Sequence, residues 1–107
     1  MGRKDSFNYI ITEEKLKKYF SVTKNALDKL KEVIPKKTHL DNISKDYLDM
    51  AKNYYNDARF FYDKGDYVNA FAALNYSHGW LDAGARLGLW DVGYDNKLFT
   101  VDEKDEK

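Results

Sequence analysis

Residues 62–90 read YDKGDYVNAFAALNYSHGWLDAGARLGLW, and this stretch decides the fold of the chain. Gly65 suits the position just after a helix C-terminus, because a left-handed backbone conformation costs glycine little. Asp66 is a good N-cap for a helix that follows it. The stretch therefore predicts the end of one helix, a two-residue turn and a long helix over residues 67–89.

The composition of this long helix is unusual. Residues 70–74, AFAAL, are apolar nearly all the way round a helix, which is typical of a helix buried on more than one side. Small residues would let neighbouring helices approach closely: Ala72, Ala73, Ser77, Gly79, Ala83 and Gly84. The two interior glycines cost about 1 kcal/mol each relative to alanine, so we expect a packing or contact gain to offset them.

Two further helices precede the long one. Helix 1 is predicted over residues 13–34, with Thr12 as N-cap and an end at Pro35, which disfavours helical backbone in the residue before it. Its apolar residues recur every three or four positions: Leu16, Tyr19, Phe20, Thr23, Leu27, Leu30 and Ile34. Helix 2 is predicted over residues 42–64, with an apolar stripe at Ile43, Tyr47, Met50, Tyr54, Ala58 and Phe61.

The predicted fold is an all-α, up-down-up three-helix bundle with a short irregular C-terminal extension. We expect residues 1–11 to be a flexible lead-in, residues 12–90 to form the bundle, and residues 91–107 to be an irregular, charged tail that frays at its end. At 107 residues the chain forms one domain.

Charge and composition exclude several classes of function. Lys and Arg together number 18 and Asp and Glu together number 18, so the net charge is zero, which argues against a general polyanion binder. The chain has no cysteine, so it has no disulfide and no thiolate chemistry. No apolar run approaches the roughly 20 residues of a membrane span, and no signal peptide opens the chain. We expect a cytoplasmic protein that is not bound to a membrane.

One polar constellation lies on helix 3. At about 100° per residue, a row of four side chains falls along one edge of this helix: Asn75, His78, Asp82 and Arg86. An imidazole oriented by a carboxylate beside a guanidinium can act as a general base or bind an anion. The favoured interpretation is a structural hydrogen-bond network, because a buried helix must satisfy its polar groups. A small-ligand site at these residues is the alternative.

Catalysis and metal binding find no support in the sequence motifs. No serine or cysteine nucleophile lies in a recognisable motif, and no glycine-rich phosphate loop is present. The two histidines are His39, in a predicted loop, and His78, and neither belongs to an HExxH or Glu-x-x-His motif. We expect no enzyme activity, no cofactor and no metal.

Three aromatic residues are candidate contacts with a partner. Phe60 is predicted on the far side of helix 2, where it is exposed or meets a partner. Trp80 lies roughly opposite the polar row and is predicted to be a core residue or a contact anchor. Trp90 is placed at the end of helix 3, either packed or facing a partner.

Lysines give the N-terminal third of the chain a positive face: Lys15, Lys17, Lys18, Lys24, Lys29, Lys31, Lys36 and Lys37. A solvated helix surface is the preferred interpretation of this face. Weak RNA binding by the basic face of helix 1 is the alternative, and it predicts affinity that falls steeply with salt.

The chain resembles the archaeal domain of unknown function 357 family. The resemblance covers most of residues 13–90, and its most specific parts are Gly65-Asp66-Tyr67 and the run from Tyr76 to Gly84, YSHGWLDAG. It implies a small three-helix bundle in an archaeal cytosol and no activity, because the family has no established function. A weaker likeness of the helix 2–helix 3 junction to one tetratricopeptide hairpin indicates convergence, since no second copy is present.

The leading hypothesis for function is a non-catalytic module that binds another protein or forms a homo-oligomer such as a dimer. It rests on helix 3, which is too apolar for a helix with one free face in so small a domain.

Overall fold

A computed structural model of the chain describes residues 10–93. Within them the elements follow in the order α1 (Glu13–Lys29), β1 (Lys31–Glu32), α2 (His39–Asp63), α3 (Tyr67–Leu87) and β2 (Trp90–Asp91). The predicted all-α bundle of three helices is confirmed. The two strands are two residues long each and form a small antiparallel pair beside the helices.

Helix α3 is the centre of the fold, because both other helices pack against it. It runs antiparallel to α2, and the Ser77 hydroxyl donates a hydrogen bond of 2.6 Å to the buried Ala51 carbonyl of that helix. Helix α1 lies on a neighbouring flank of α3, where Tyr19 meets Phe71 edge-on with ring centroids 5.2 Å apart. A free third flank of α3 remains, and it is described below.

Two hydrophobic clusters fill the space between the helices. The cluster near the α2–α3 turn contains Leu16, Phe20, Ala58, Ala70, Ala73 and Leu74. The cluster at the other end of the bundle contains Ala26, Ala51, Leu81, Leu89, Trp90 and Val92. Alanines from both α2 and α3 lie in these clusters, so the two helix backbones can approach each other closely.

The predicted helix caps are confirmed at three positions. The Thr12 side chain accepts a hydrogen bond of 3.1 Å from the Lys15 amide at the start of α1. Gly65 has a φ of 79° after the end of α2. Asp66 caps α3 by accepting a hydrogen bond of 3.2 Å from the Asn69 amide. Each cap is a local signal, so it was readable from neighbouring residues alone.

The predicted C-terminus of helix 1 is wrong. Helix α1 ends at Lys29, because Leu30 adopts an extended backbone with φ −64° and ψ 150°. The chain then enters β1, where Lys31 lies opposite Asp91 of β2. Pairing of β1 with β2 therefore overrides the helical pattern of this segment.

Helix α2 begins three residues earlier than predicted, at His39. The Thr38 hydroxyl accepts a hydrogen bond of 3.1 Å from the Asp41 amide, which is the N-cap contact. Lys37 has a φ of 63°, and its backbone amide donates a hydrogen bond of 2.8 Å to the Asp41 carboxylate. This hydrogen bond, followed by that from Lys45, holds the pKa of Asp41 below its ordinary value. The Thr-x-x-Asp pattern was the missed signal.

Helix α3 also ends earlier than predicted, at Leu87 rather than at residue 89. Gly88 has a left-handed φ of 77°, and the Leu89 amide donates a hydrogen bond of 2.9 Å to the Gly84 carbonyl. This C-cap reverses the chain so that Trp90 enters β2. The predicted irregular tail is therefore ordered at its start, with Val92 buried. Predicted features of residues 1–9 and 94–107 lie outside the described residues.

Candidate functional site

The polar row on α3 is divided between two environments. His78 and Asp82 are half-buried, whereas Asn75 and Arg86 lie exposed at its ends. His78 Nδ1 shares a hydrogen bond of 3.1 Å with the Thr23 hydroxyl of α1, which is buried. His78 Nε2 lies 3.8 Å from Asp82 Oδ1, an ion-pair distance that is too long for a hydrogen bond.

This geometry makes His78 a link between two helices. In the neutral tautomer that carries its proton on Nε2, toward Asp82, the Thr23 hydroxyl donates to Nδ1. Both ring nitrogens then face protein groups, as the structural interpretation of the row expects. A binding role for Asn75, His78, Asp82 and Arg86 remains a prediction.

A different surface of α3 faces solvent, and it is apolar. We call it the α3 stripe; it consists of Val68, Ala72, Tyr76, Gly79, Ala83 and Leu87. The exposed fractions of its three large side chains are 68% for Val68, 63% for Tyr76 and 62% for Leu87. At about 100° per residue, the six positions share one flank of the helix, which borders α2 at Tyr76 and faces away from the buried residues Ala70, Leu74 and Leu81.

The α3 stripe was not predicted. The apolar run at residues 70–74 indicated a helix buried on more than one side, and α3 does pack on two neighbours. Ala72 within that run is nevertheless exposed. The spacing of the stripe was readable in the sequence, but apolar residues surround the helix there, so periodicity could not show which flank stays uncovered.

An open groove lies in the middle of the α3 stripe. Its lining residues are Asn75, Tyr76, Gly79, Trp80 and Ala83, and its volume is about 500 Å³. This volume lies within the range of about 300–1,000 Å³ that is usual for binding pockets in proteins. The lining is almost wholly apolar, so the groove suits an apolar side chain better than a charged group.

Aromatic residues of α2 support both walls of this groove. Tyr76 stacks on Tyr54, with ring centroids 5.0 Å apart and planes inclined by 19°. Trp80 meets Tyr47 edge-on, with centroids 4.9 Å apart. Trp80 is half-buried and therefore belongs both to the core margin and to the groove wall. Gly79 forms the floor between the two rings.

Gly79 faces open space. Among the described residues, and apart from its own helical neighbours, no atom lies within 4 Å of the position that a Cβ would take. Gly84 is its opposite, because a Cβ there would overlap the Trp90 indole. The fold of a single chain thus explains one interior glycine of α3 and leaves the other unexplained.

The other predicted contact aromatics differ from each other. Trp90 is only 2% exposed, and its Nε1 donates a hydrogen bond of 3.2 Å to the Leu81 carbonyl, so its side chain packs within the chain. Phe60 is 57% exposed on the side of α2 that faces away from α3. The Lys64 ammonium lies 5.1 Å from the centroid of the Phe60 ring. Phe60 is therefore an exposed aromatic residue outside the α3 stripe.

The predicted basic face of helix 1 is interspersed with acidic partners. Lys24 pairs with Asp28 at 2.9 Å, which raises the pKa of the lysine. Lys17 lies 3.4 Å from Glu13, which also accepts a hydrogen bond of 2.7 Å from the Tyr62 hydroxyl. This hydrogen bond raises the pKa of Tyr62 to about 12 and, with Lys17, lowers that of Glu13. RNA binding remains a prediction.

Residues 10–93 contain neither a candidate metal site nor a candidate membrane span. In this part of the chain, no cluster of three or more His, Cys, Asp or Glu side chains could hold a metal ion. Over the same residues, no helix combines the length and the apolar character that crossing a bilayer requires.

Comparison with known proteins identifies a family. The profile of a family described as "Protein of unknown function (DUF357)" matches residues 18–90, which cover all of α2 and α3 and most of α1. Neither the curated proteins nor the solved structures contain a significant match to the chain. Since the matched segment spans well over half of the 107 residues, the chain belongs to the DUF357 family.

Proposed function

We propose that the protein is a non-catalytic interaction module that binds protein through the α3 stripe. One observation carries the proposal: a central helix has a free flank on which three large apolar side chains and an apolar groove face solvent. Contiguous exposed apolar surface on a small soluble domain is a mark of an interaction site.

The energetics favour a partner that covers the stripe. Full burial of a large apolar side chain contributes about 1.5–3 kcal/mol, and the stripe offers Val68, Tyr76 and Leu87. None of its six residues carries a charge, as expected at the core of an interface, where charged residues are depleted and aromatic residues enriched. Tyr76 combines an apolar ring with a polar hydroxyl, which suits a contact anchor.

The groove offers little to a catalytic mechanism. The polar side-chain groups of its lining are the Asn75 amide, the Tyr76 hydroxyl and the Trp80 indole N–H, and its five residues include no His, Asp, Glu, Lys or Cys. His78, the residue best suited to proton transfer, contacts Thr23 of α1 on another flank of the helix. The proposal therefore assigns the groove to binding and His78 to joining α1 with α3.

The test is a comparison of two matched variants. Tyr76→Glu places a charge at the centre of the stripe, and Phe60→Glu makes the same kind of change at a comparably exposed aromatic residue on α2. The full chain and both variants are used for affinity purification from the native cytosol, followed by mass spectrometry. Circular dichroism confirms that each variant is folded.

We expect the unaltered chain and Phe60→Glu to recover a specific protein, either a different protein or untagged copies of the chain itself, and Tyr76→Glu to lose it. Equal recovery with all three chains, or no specific protein with any of them, would contradict the proposal. A recovered RNA that is lost at high salt would favour the basic face of helix 1 instead.

A further inference from the structure

The six residues of the α3 stripe are spaced symmetrically along the helix. Its residues follow one another at intervals of four, four, three, four and four positions, which read the same from either end. We infer that a second copy of this chain docks on the stripe, with the two α3 helices antiparallel about a two-fold axis. This inference rests on the proposed function and names the partner.

The symmetry places specific residues opposite each other. A two-fold axis at the level between Ser77 and His78 exchanges the two ends of the stripe. The facing pairs are then Val68 with Leu87 of the second copy, Ala72 with its Ala83, and Tyr76 with its Gly79. Such an isologous contact requires a self-complementary surface, and each pair here occurs twice.

The central pair matches a large side chain with an empty space. Tyr76 is the largest residue of the stripe, and Gly79 is the position where no neighbouring atom approaches. The groove of about 500 Å³ around Gly79 therefore receives the Tyr76 ring of the second copy, beside the Trp80 wall. This contact explains a helix-interior glycine that nothing in the single chain requires.

The charge distribution allows two copies of the chain to associate and favours antiparallel α3 helices. The stripe carries no charged residue and the chain has no net charge, so two copies do not repel each other. In the antiparallel arrangement the N-terminus of each α3 lies beside the C-terminus of the other, which is favourable for the helix dipoles. Arg86 of one copy comes to the level of Asn69 of the second, within one turn of its acidic N-cap Asp66.

The small size of the stripe indicates a weak, reversible contact. From Val68 to Leu87 the stripe covers 19 helical steps, which measure about 28 Å at 1.5 Å per residue, and a helix is about 10 Å wide. The footprint on α3 is then on the order of 300 Å², well below the roughly 800 Å² per partner of a standard stable interface. Even with the flanking Tyr54 and Tyr47 of α2, we expect a reversible dimer with a dissociation constant in the micromolar range.

Cysteine cross-linking tests the pairing directly, because the chain has no natural cysteine. In the antiparallel dimer, Ala72→Cys on one full-length chain faces Ala83→Cys on another. Two copies of Ala72→Cys lie about 16 Å apart along the axis, well beyond the roughly 7 Å limit between Cα atoms of a disulfide. The reference for random collision is a mixture of Ala72→Cys with Phe60→Cys.

Under mild oxidation we expect a disulfide-linked dimer from the 1:1 mixture of Ala72→Cys and Ala83→Cys, and only background from Ala72→Cys alone. Strong cross-linking of Ala72→Cys to itself would indicate parallel helices and overturn the inference. Cross-linking of the 1:1 mixture no faster than that of the reference mixture would also overturn it.

Sedimentation equilibrium separates this inference from the proposed function. We expect the chain to associate between about 1 and several hundred µM, with Phe60→Glu unchanged and Tyr76→Glu monomeric. A chain that stays monomeric throughout this range overturns the inference. If a different protein nevertheless co-purifies in a Tyr76-dependent manner, the proposed function stands without it; if none does, both fail.

Discussion

Gly79 and Gly84 lie five residues apart on α3, and the chain surrounds them in opposite ways. The Trp90 indole packs so closely on Gly84 that no side chain fits between them, whereas the space over Gly79 is open. A glycine inside a helix costs about 1 kcal/mol relative to alanine at either position. In a single chain, the Trp90 contact offsets this cost at Gly84, but no comparable contact offsets it at Gly79.

The same contrast extends to the two flanks of the helix. On the flank toward α2, small residues such as Ala73 and Ser77 are buried and allow close helix packing. On the outer flank, Ala72 and Gly79 are exposed beside large apolar residues. Small residues on α3 therefore have two separate explanations, internal packing on one flank and an external contact on the other, and mutations can separate them.

The largest effect is expected at Trp90. Trp90→Ala removes a side chain that is 2% exposed, together with its hydrogen bond to the Leu81 carbonyl, and leaves a cavity over Gly84. We expect the free energy of unfolding to fall by about 3–5 kcal/mol. Urea denaturation followed by circular dichroism measures it. A loss below about 1 kcal/mol would mean that Trp90 does not hold the C-terminal segment on α3.

Gly84→Ala is expected to have the next largest effect, and its sign should depend on Trp90. In the natural chain the new Cβ displaces the indole, which costs about 1–3 kcal/mol through overpacking. In the Trp90→Ala background the clash is gone, and the same change should stabilise the helix by up to about 1 kcal/mol. A double-mutant cycle in urea measures this coupling. Equal costs in both backgrounds would contradict the contact.

Much of the fold was predictable, because its signals are local. Thr12, Gly65 and Asp66 act on the residues beside them, so helix boundaries at these points follow from sequence. The end of α1 at Lys29 does not, because it depends on pairing between Lys31 and Asp91, which are 60 residues apart in the chain. The position of Trp90 depends on the same pairing.

The candidate site was predictable only in part. The contact between His78 and Asp82 follows from their four-residue spacing, but the bond from His78 to Thr23 requires the relative position of α1 and α3. The exposed flank with Tyr76 and Gly79 was hidden by the apolar composition of α3. A pattern shows how many apolar residues a helix has, but not how many neighbours are present to cover them.

Two buried serines, Ser77 on α3 and Ser44 on α2, allow a smaller test of the internal packing of the bundle. The Ser77 hydroxyl is bonded to the Ala51 carbonyl at 2.6 Å, whereas the buried Ser44 hydroxyl lacks a hydrogen-bond partner among the described residues. We expect Ser77→Ala to destabilise the chain by about 1 kcal/mol and Ser44→Ala to stabilise it by a comparable amount. Thermal denaturation of both variants gives the signs. A loss of stability in both would show that the Ser44 hydroxyl contributes to the fold.

Gly79→Ala gives the smallest change in stability and the sharpest test of the comparison between the two glycines. At concentrations where the chain is monomeric, the added methyl group points into open space, so the free energy of unfolding should rise by up to about 1 kcal/mol from helix propensity.

The same methyl group would narrow the space that receives the Tyr76 ring of a second copy. The dissociation constant of the dimer should therefore rise by about tenfold, as measured by sedimentation equilibrium. A more stable monomer with weaker self-association would mean that Gly79 is kept for a partner and Gly84 for the fold. If the variant gains stability and associates as tightly as the natural chain, Gly79 serves neither role, and the second copy does not pack over it.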